Sequence, residues 1–297
     1  MILVAGATGV LGSEICRLLA EQRKTVRALV RESSDPQRIE QLRNLGVEIV
    51  VGDLTDRGSL DKACQDVKTV ISTVSGMHGR LESDSIDGVD GLGQRNLINA
   101  AKASGVDQFI FISFPGAKES FPLQDAKRSA EQAIKQSGMN YTILQPTCFM
   151  EVWLSPALGF DAAAGEARIY GTGENKISFI SYKDVAKFAA AVVDNSSAKN
   201  SVIELGGPEP LSPLEVVSIF ENSTGRKFSL QFVPEEALMQ QKAAAPDSRA
   251  QSFAGLMLYA AEGSPIPMGE TLKKFPMRLQ SVEDYAATAA RSAGSTA

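Results

Sequence analysis

Three groups of residues in this 297-residue chain have the type and spacing to do chemistry. Gly6, Gly9 and Gly12 recur at three-residue intervals in GATGVLG, directly after the apolar run Ile2 to Ala5. Arg31, Glu32, Ser33 and Ser34 close a second apolar run, TVRALV. Ser113 and Lys127 follow a third, FIFI, with the lysine on a helical pattern. The glycines divide the work of a dinucleotide turn. Gly6 permits the sharp exit from a strand, Gly9 lets backbone approach a pyrophosphate, and Gly12 lets the next helix pack close to the strand. The helix start supplies unpaired N–H groups and a positive dipole end, both suited to phosphate. The spacing is GxxGxxG, not the GxGxxG of the commonest dehydrogenases. Its place between a first strand and a first helix is the context that makes the motif informative. Gly6, Thr8, Gly9, Val10, Leu11 and Gly12 are the expected contacts.

The end of the second strand selects between dinucleotides. NAD-specific folds carry a carboxylate there, bound to the ribose hydroxyls. This chain carries Arg31, whose charge and planar donor fork match a 2′-phosphate, with Ser33 adding a hydroxyl. The expected cofactor is therefore NADP(H), and a solvated strand end is the plain alternative for Arg31. Asp53 and Leu54, after a third strand, either flank the adenine or serve as turn residues.

The elements that must position these groups follow from periodicity. Strands are expected at 2–5, 25–30, 47–51, 69–74, 109–113 and 141–144. Helices are expected at 13–22, 35–45, 59–64, up to 104 after a glycine-, serine- and aspartate-rich loop over 77–93, and at 125–137. Six alternations of strand and helix predict an α/β fold with a doubly wound parallel sheet. Right-handed crossovers place the strand C-termini on one edge. That edge collects Gly6–Gly12, Arg31, Asp53, Thr73, Val74, Ser113 and the segment Pro146, Thr147, Cys148, Phe149. Beyond 150 the alternation weakens: a helix over 151–164 interrupted by Pro156 and Gly159, a short strand at 177–180, a helix at 182–194 and a returning strand at 202–205. Ser212, Pro213 and Glu215 read as a capping box opening a helix over 212–224. Residues 228–233 alternate as a strand, further helices are broken over 263–267, and 291–297 form a small polar tail.

Composition sets the class. Apolar content of 43% and charged content of 22% describe a globular protein with a large core. A net charge of −5 gives no general attraction to nucleic acid or anionic lipid. No apolar run is long enough to span a membrane. Cys16, Cys64 and Cys148 are scattered and odd in number, which argues for a reducing compartment and against a disulfide framework. With a single His78, no metal site is expected. The first strand begins at once, so the cytoplasm is expected, or an organelle if a presequence has been removed. Oligomeric state has no signature in the sequence.

GATGVLG, VRALVRESSDP, VEIVVGDLTD, TVISTVSG and AKRSAEQAIKQSGMNYTILQPTCF resemble the NmrA-like branch of the atypical short-chain dehydrogenases/reductases over residues 1–205. That branch includes isoflavone-reductase-like, phenylcoumaran-benzylic-ether-reductase-like and NADPH:quinone-reductase-like enzymes, and redox-sensing regulators without turnover. The resemblance implies a Rossmann fold with a smaller C-terminal substrate lobe, the NADP(H) domain covering 1–150 with 177–205 returning to it, and a mostly helical lobe over 151–297. It implies that Lys127 binds the nicotinamide ribose or acts as general acid/base, that Ser113 positions substrate, and that Pro146, Cys148 and Phe149 lie against the nicotinamide. A solvated helix lysine, a strand-end hydroxyl and a buried small apolar residue are the plain alternatives for Lys127, Ser113 and Cys148. The Tyr-x-x-x-Lys of ordinary short-chain dehydrogenases is broken here, because Leu123 stands four residues before Lys127, as in the isoflavone-reductase-like branch, which lacks that tyrosine and keeps the lysine. The expected function is reduction of a planar conjugated or aromatic small molecule, of quinone or phenylpropanoid type. A non-catalytic NADP(H)-binding sensor, regulator or assembly factor is the alternative. His78, Met150 and Trp153 are further residues that could face a substrate.

Overall fold

A computed structural model of the chain describes residues 1–79 and 84–294. Residues 80–83 of the loop expected over 77–93, residues 295–297 of the expected polar tail, and the side chain of His78 lie outside the described residues. Two compact units are formed. The first takes its described residues from Met1–Phe114, Ser120–Gln145 and Val185–Ile203. The second takes them from Pro115–Glu119, Pro146–Asp184 and from Glu204 onward.

The first unit is built on β1 (Ile2–Ala5), α1 (Val10–Glu21), β2 (Val26–Val30), α2 (Pro36–Asn44), β3 (Glu48–Val51), α3 (Arg57–Ala63), β4 (Thr69–Ser72), α4 (Gln94–Ala103), β5 (Gln108–Ile112), α5 (Pro122–Lys135) and β6 (Asn140–Pro146). Four residues, ILVA, suffice for β1 because the strand is central and buried along its whole length. The sheet has seven strands, the first six in the order β3-β2-β1-β4-β5-β6, with the returning strand β9 (Ser201–Leu205) beside β6. The pairs β2–β3, β1–β2, β1–β4, β4–β5 and β5–β6 are parallel. The order reverses between β1 and β4, the switch point outside which open α/β sheets bind ligands. Leu3, Leu29, Leu60, Val70, Leu97, Phe109, Phe111 and Ile143 share one core. This is the Rossmann-type α/β architecture expected from the sequence.

Between β4 and α4 the expected loop is partly ordered backbone: a single 3-10 turn, Gly76–His78, and a π-helical segment, Asp87–Gly93, running directly into α4. Glycine-rich composition hid this segment. Gly76 and Gly93 are small because neighbours crowd them; a Cβ on Gly93 would meet Leu54 Cβ at 2.8 Å.

The second unit carries α6 (Met150–Trp153), β7 (Phe160–Asp161), β8 (Glu166–Tyr170), α8 (Pro213–Thr224), β10 (Ser229–Val233), α9 (Glu235–Ala243), α10 (Ser248–Glu262), α11 (Gly269–Lys274) and α12 (Val282–Gly294). The helix α7 (Tyr182–Ala191) precedes β9. Residues 151–164, expected to be helical, are helical only in α6 and then give the two-residue β7, which joins β8 and the expected strand β10 in a three-stranded sheet, β10-β8-β7. Pro156 starts a one-turn 3-10 segment that Gly159 ends at φ +84°, so the helix stops at Trp153. The expected strand at 177–180 forms only isolated bridges, Ile177 with Leu211 and Ser264, and Ile180 with Phe149. The capping box of α8 forms as read, with Ser212 and Glu215 bonding reciprocally. Among the described residues no helix is long and apolar enough to cross a membrane.

Gly12 is the tightest joint between sheet and helix. A Cβ there would lie 2.2 Å from the Gly6 carbonyl oxygen and 3.0 Å from Ala7 Cα. Gly12→Ala is therefore expected to destabilise by about 1–3 kcal/mol, read by urea unfolding. Helix propensity alone would make the change favourable by about 1 kcal/mol, so a neutral or stabilised variant would contradict the packing described.

Candidate functional site

At the switch point the glycine turn is fixed from two sides. Gly6 takes φ +83°, and a Cβ on it would meet Thr73 Oγ1 at 2.4 Å. Thr73 continues the ladder by donating its N–H to Ala5 O at 3.0 Å, and its hydroxyl also donates to Ala5 O at 3.1 Å. The glycines thus separate by role. Gly6 and Gly12 are glycine because protein atoms leave no room. Gly9 is exposed, extended at φ −77°, ψ 165°, and a Cβ on it would meet only Gly6 O, at 3.2 Å. Packing does not demand glycine there; an approaching ligand backbone would. Gly9 is also the N-cap of α1, which has no side-chain cap and no acidic residue in its first turn. By contrast Asp35, Asp56, Ser212 and Asp247 cap α2, α3, α8 and α10. An uncapped twelve-residue helix beginning at an open glycine is a fit receptor for a pyrophosphate. Val10 is exposed beside it, whereas Leu11 is buried and offers only its backbone.

Arg31 follows β2 and is not a free strand end. Its Nη1 donates to Asp84 Oδ1 at 2.5 Å, and its backbone N–H is taken by Ser34 Oγ. Ser33 is exposed. A second guanidinium that sequence reasoning missed, Arg38 in the first turn of α2, donates to the Thr8 carbonyl at 2.5 Å. Asp53 makes an Asx turn, accepting from Thr55 N at 2.8 Å and from Thr55 Oγ1 at 2.6 Å. Leu54 is buried in the core of the first unit. The Asx turn is the turn role that stood as the alternative to adenine contact for Asp53.

Lys127 is not a solvated helix lysine. Its side chain is 6% exposed, and its ammonium lies 3.2 Å from Asp90 Oδ1, whose side chain is wholly buried. It donates to Val74 O at 3.0 Å and to Ile112 O at 3.5 Å, and sits 4.9 Å from the Phe111 ring centre. Asp90 comes from the π-helical segment, and its other oxygen accepts the Gly76 N–H at 2.7 Å. Gln94, one turn on, exchanges hydrogen bonds with Ser72 inside the core. Asp90 and Gln94 had no signal in the sequence: a carboxylate in a glycine-rich loop reads as solvated until the backbone turns it inward. The charge is buried but paired, which is the condition under which burial is tolerated.

Ser113 is buried one residue past β5 and donates its N–H to Leu144 O at 2.8 Å. Its hydroxyl lies 3.5 Å from Arg128 Nη2. Arg128 also pairs with the buried Glu131 at 2.9 Å, donates to Phe114 O, and lies over the Phe114 ring. Gln145 donates to Glu131 at 2.9 Å. The first unit therefore brings the glycine turn, Thr73, Val74, Lys127 and Ser113 to one sheet edge, through contacts running from Gly6 to Thr73 and from Val74 and Ile112 to Lys127.

Pro146, Cys148 and Phe149 fall in the second unit. Cys148 is buried in its core, and burial pushes its thiol far above the ordinary range. Burial raises the thiol of Cys16 to about 12 and that of Cys64 to about 11. All three are protonated at neutral pH and poor nucleophiles. Met150 is fully buried. Trp153 lines a cavity of about 40 Å³ with Phe160, Tyr170 and Phe179. That is room for a water, not an aromatic ring.

The NmrA-like family matches this chain over residues 1–286. The chain is 32% identical over 265 residues to the phenylcoumaran benzylic ether reductase Pyrc5 of Pyrus communis, with 82% of each chain covered. It is 30% identical over 244 residues to the photosystem II assembly factor Ycf39 of a Synechocystis species, covering 80% of this chain and 72% of that one. Its fold is that of the NADPH-dependent quinone oxidoreductase of Escherichia coli, at a TM-score of 0.78 and 23% identity, with 97% and 99% of the chains covered.

Removing one member of a buried ion pair costs about 3–5 kcal/mol. Lys127→Met is expected to lose stability in that range by urea unfolding. The double change Lys127→Met with Asp90→Asn is expected to recover most of it, because the amide still accepts from Gly76 N–H. A single-variant loss below about 1 kcal/mol, the value of an exposed pair, would contradict the burial described.

Proposed function

The chain belongs to the NmrA-like family, and we propose that it is an NADPH-dependent reductase of a planar conjugated or aromatic small molecule, of quinone or phenylpropanoid type. The observation that carries the reading is a buried ammonium, Lys127, held on the carbonyl of Val74, the residue after the threonine that fixes the glycine turn. Bound NADPH supplies two electrons and a hydrogen from its nicotinamide. The chain supplies the rest. The open turn at Gly9 and the first N–H groups of α1 bind the pyrophosphate; Arg31 and Ser33 bind the 2′-phosphate, with Arg38 adding positive charge. Lys127 orients the nicotinamide ribose and passes a proton to the substrate atom that gains negative charge. Ser113, anchored by Arg128, positions the substrate. With Leu123 in place of the usual tyrosine, no phenol competes for the proton-donor role. The activities of its relatives, reduction of a benzylic ether and of quinones, support the substrate class.

One observation favours a second reading. Lys127 donates to Val74 O and Ile112 O and its ammonium is ion-paired with Asp90 at 3.2 Å, so the lysine can serve as a strut with no turnover. The chain would then be a cofactor-binding regulator or assembly factor, and the assembly factor Ycf39 among its relatives supports this.

The deciding measurement is NADPH oxidation with a panel of quinones and phenylpropanoids. For a reductase, turnover is expected with at least one acceptor. In the Lys127→Met, Asp90→Asn variant it should fall by roughly 10²–10⁴-fold, while NADPH affinity falls much less. NADPH binding without turnover of any acceptor would favour the regulator, and undiminished turnover in the variant would remove Lys127 from the chemistry.

A further inference from the structure

The three-stranded sheet of the second unit ends on an open strand. In the order β10-β8-β7, β10 pairs with β8 alone. Ser229 donates its N–H to Gly165 O at 2.8 Å, and Val233 O accepts from Gly171 N–H at 2.9 Å. A ladder engages alternate residues of a strand, so Ser229, Gln231 and Val233 turn their backbone groups toward β8. Leu230 and Phe232 turn theirs outward, where no partner stands among the described residues. These two residues lie in register beside the buried Ala167 and Ile169, yet are 37% and 49% exposed. Natural edge strands are blunted by a charge, a proline or a bulge. SLQFV carries no charge and no proline, and its register with β8 is unbroken. The charges stand just outside it and change sign across it: Arg226 and Lys227 before, Glu235 and Glu236 after. We propose that β10 is the interface of a homodimer, pairing antiparallel with β10 of a second copy about a two-fold axis at Gln231.

Backbone direction sets this register. Outward-facing residues must meet outward-facing residues, so Leu230 of one copy lies opposite Phe232 of the other and exchanges both N–H···O bonds with it. Gln231 meets Gln231 as the non-hydrogen-bonded pair between them. The apolar row of Ala167, Ile169, Leu230 and Phe232 then continues across the axis. The same register opposes Arg226 to Glu236 and Lys227 to Glu235, and the symmetry repeats both pairs. Arg226 and Glu236 are exposed, and neither has an ion-pair partner among the described residues. Lys227 already pairs with Glu221 at 2.7 Å, so Arg226 and Glu236 carry most of the complementarity. Opposite charges across a strand pair stabilise it and like charges destabilise it. An unrelated extended segment could satisfy Leu230 and Phe232 equally well; the sign change across β10 is what specifies a second copy. A ladder this short is a small interface, and the dimer is expected to dissociate in the micromolar range.

The test is sedimentation equilibrium of the full chain over a range of concentrations, with oxidative cross-linking beside it. Circular dichroism identifies the variants that keep the native fold. Wild type should be a reversible dimer. Leu230→Pro removes an outward N–H and no bond to β8, as an edge position allows, and should raise the dissociation constant about tenfold or more. Arg226→Glu and Glu236→Arg each set like charges opposite one another and should each weaken the dimer. The double variant should recover the wild-type constant, which damage to the strand itself would not do; the charge variants also decide the matter if Leu230→Pro fails to fold. Gln231→Cys brings a thiol against its own copy at a spacing that a disulfide spans, and should give a covalent dimer. Ser229→Cys faces Val233 and should not. Cys16, Cys64 and Cys148 are buried and do not compete. A wild type still monomeric at about 300 μM, outside the micromolar class, would overturn the proposal. So would a dimer that ignores the proline and charge variants and does not cross-link through Gln231→Cys.

Discussion

The sheet edge depends on one close approach: α1 begins so near the end of β1 that no side chain fits between them. A Cβ on Gly12 would stand 2.2 Å from the Gly6 carbonyl oxygen, and a Cβ on Gly6 would stand 2.4 Å from the Thr73 hydroxyl. Three pieces of backbone, from β1, α1 and the end of β4, are thereby locked at the place where the strand order reverses. Close-packed backbone cannot drift, so the first turn of α1 keeps its direction without a side-chain cap. Gly9 sits inside this rigid frame, yet among the described residues a Cβ on it would meet one oxygen only, that of Gly6 at 3.2 Å. The same turn is filled where the fold needs it filled and open at Gly9, where the proposed pyrophosphate site needs room.

The second fixed point is electrostatic. Lys127 and Asp90 are both buried, and each also takes backbone partners, Val74 and Ile112 for the lysine and Gly76 for the aspartate. The pair ties α5 to the ends of β4 and β5 and to the π-helical segment after β4. π-helical turns are rare and concentrate at functional sites; this one turns Asp90 inward. The arrangement fixes the position of the ammonium closely, as a group working beside a reactive carbon requires. A regulator that needs a rigid cofactor seat would require the same.

The α/β class, the parallel sheet and the glycine turn were legible because they rest on local rules. ILVA followed by GATGVLG names a strand, a turn and a helix within a dozen residues, and Ser212 to Glu215 names its own cap. The environment of Lys127 was not legible. Its partner lies thirty-seven positions earlier in a stretch whose glycines and aspartates read as loop, and only the π-helical backbone turns Asp90 toward it. Arg31 was read correctly as the residue at the end of β2, but its partner Asp84 is a non-local contact that no periodicity encodes. In the second unit Glu166 to Tyr170 carries a strand's alternation of exposed and buried residues over only five positions, too few to stand out, whereas the apolar spacing of residues 151–164 imitates a helix until Pro156 and Gly159 break it.

The central claim is that Gly9 is glycine for a ligand's sake and not for the fold's. Calorimetric titration of NADP⁺ into Gly9→Val, beside an unfolding curve of the same variant, tests it most directly. The backbone at Gly9 is one that valine adopts, and a Cβ there meets the Gly6 carbonyl oxygen at 3.2 Å, so the variant should fold with a lowering of stability of only about 1 kcal/mol, while nucleotide binding should be lost. Wild-type affinity in a folded Gly9→Val protein would contradict the account.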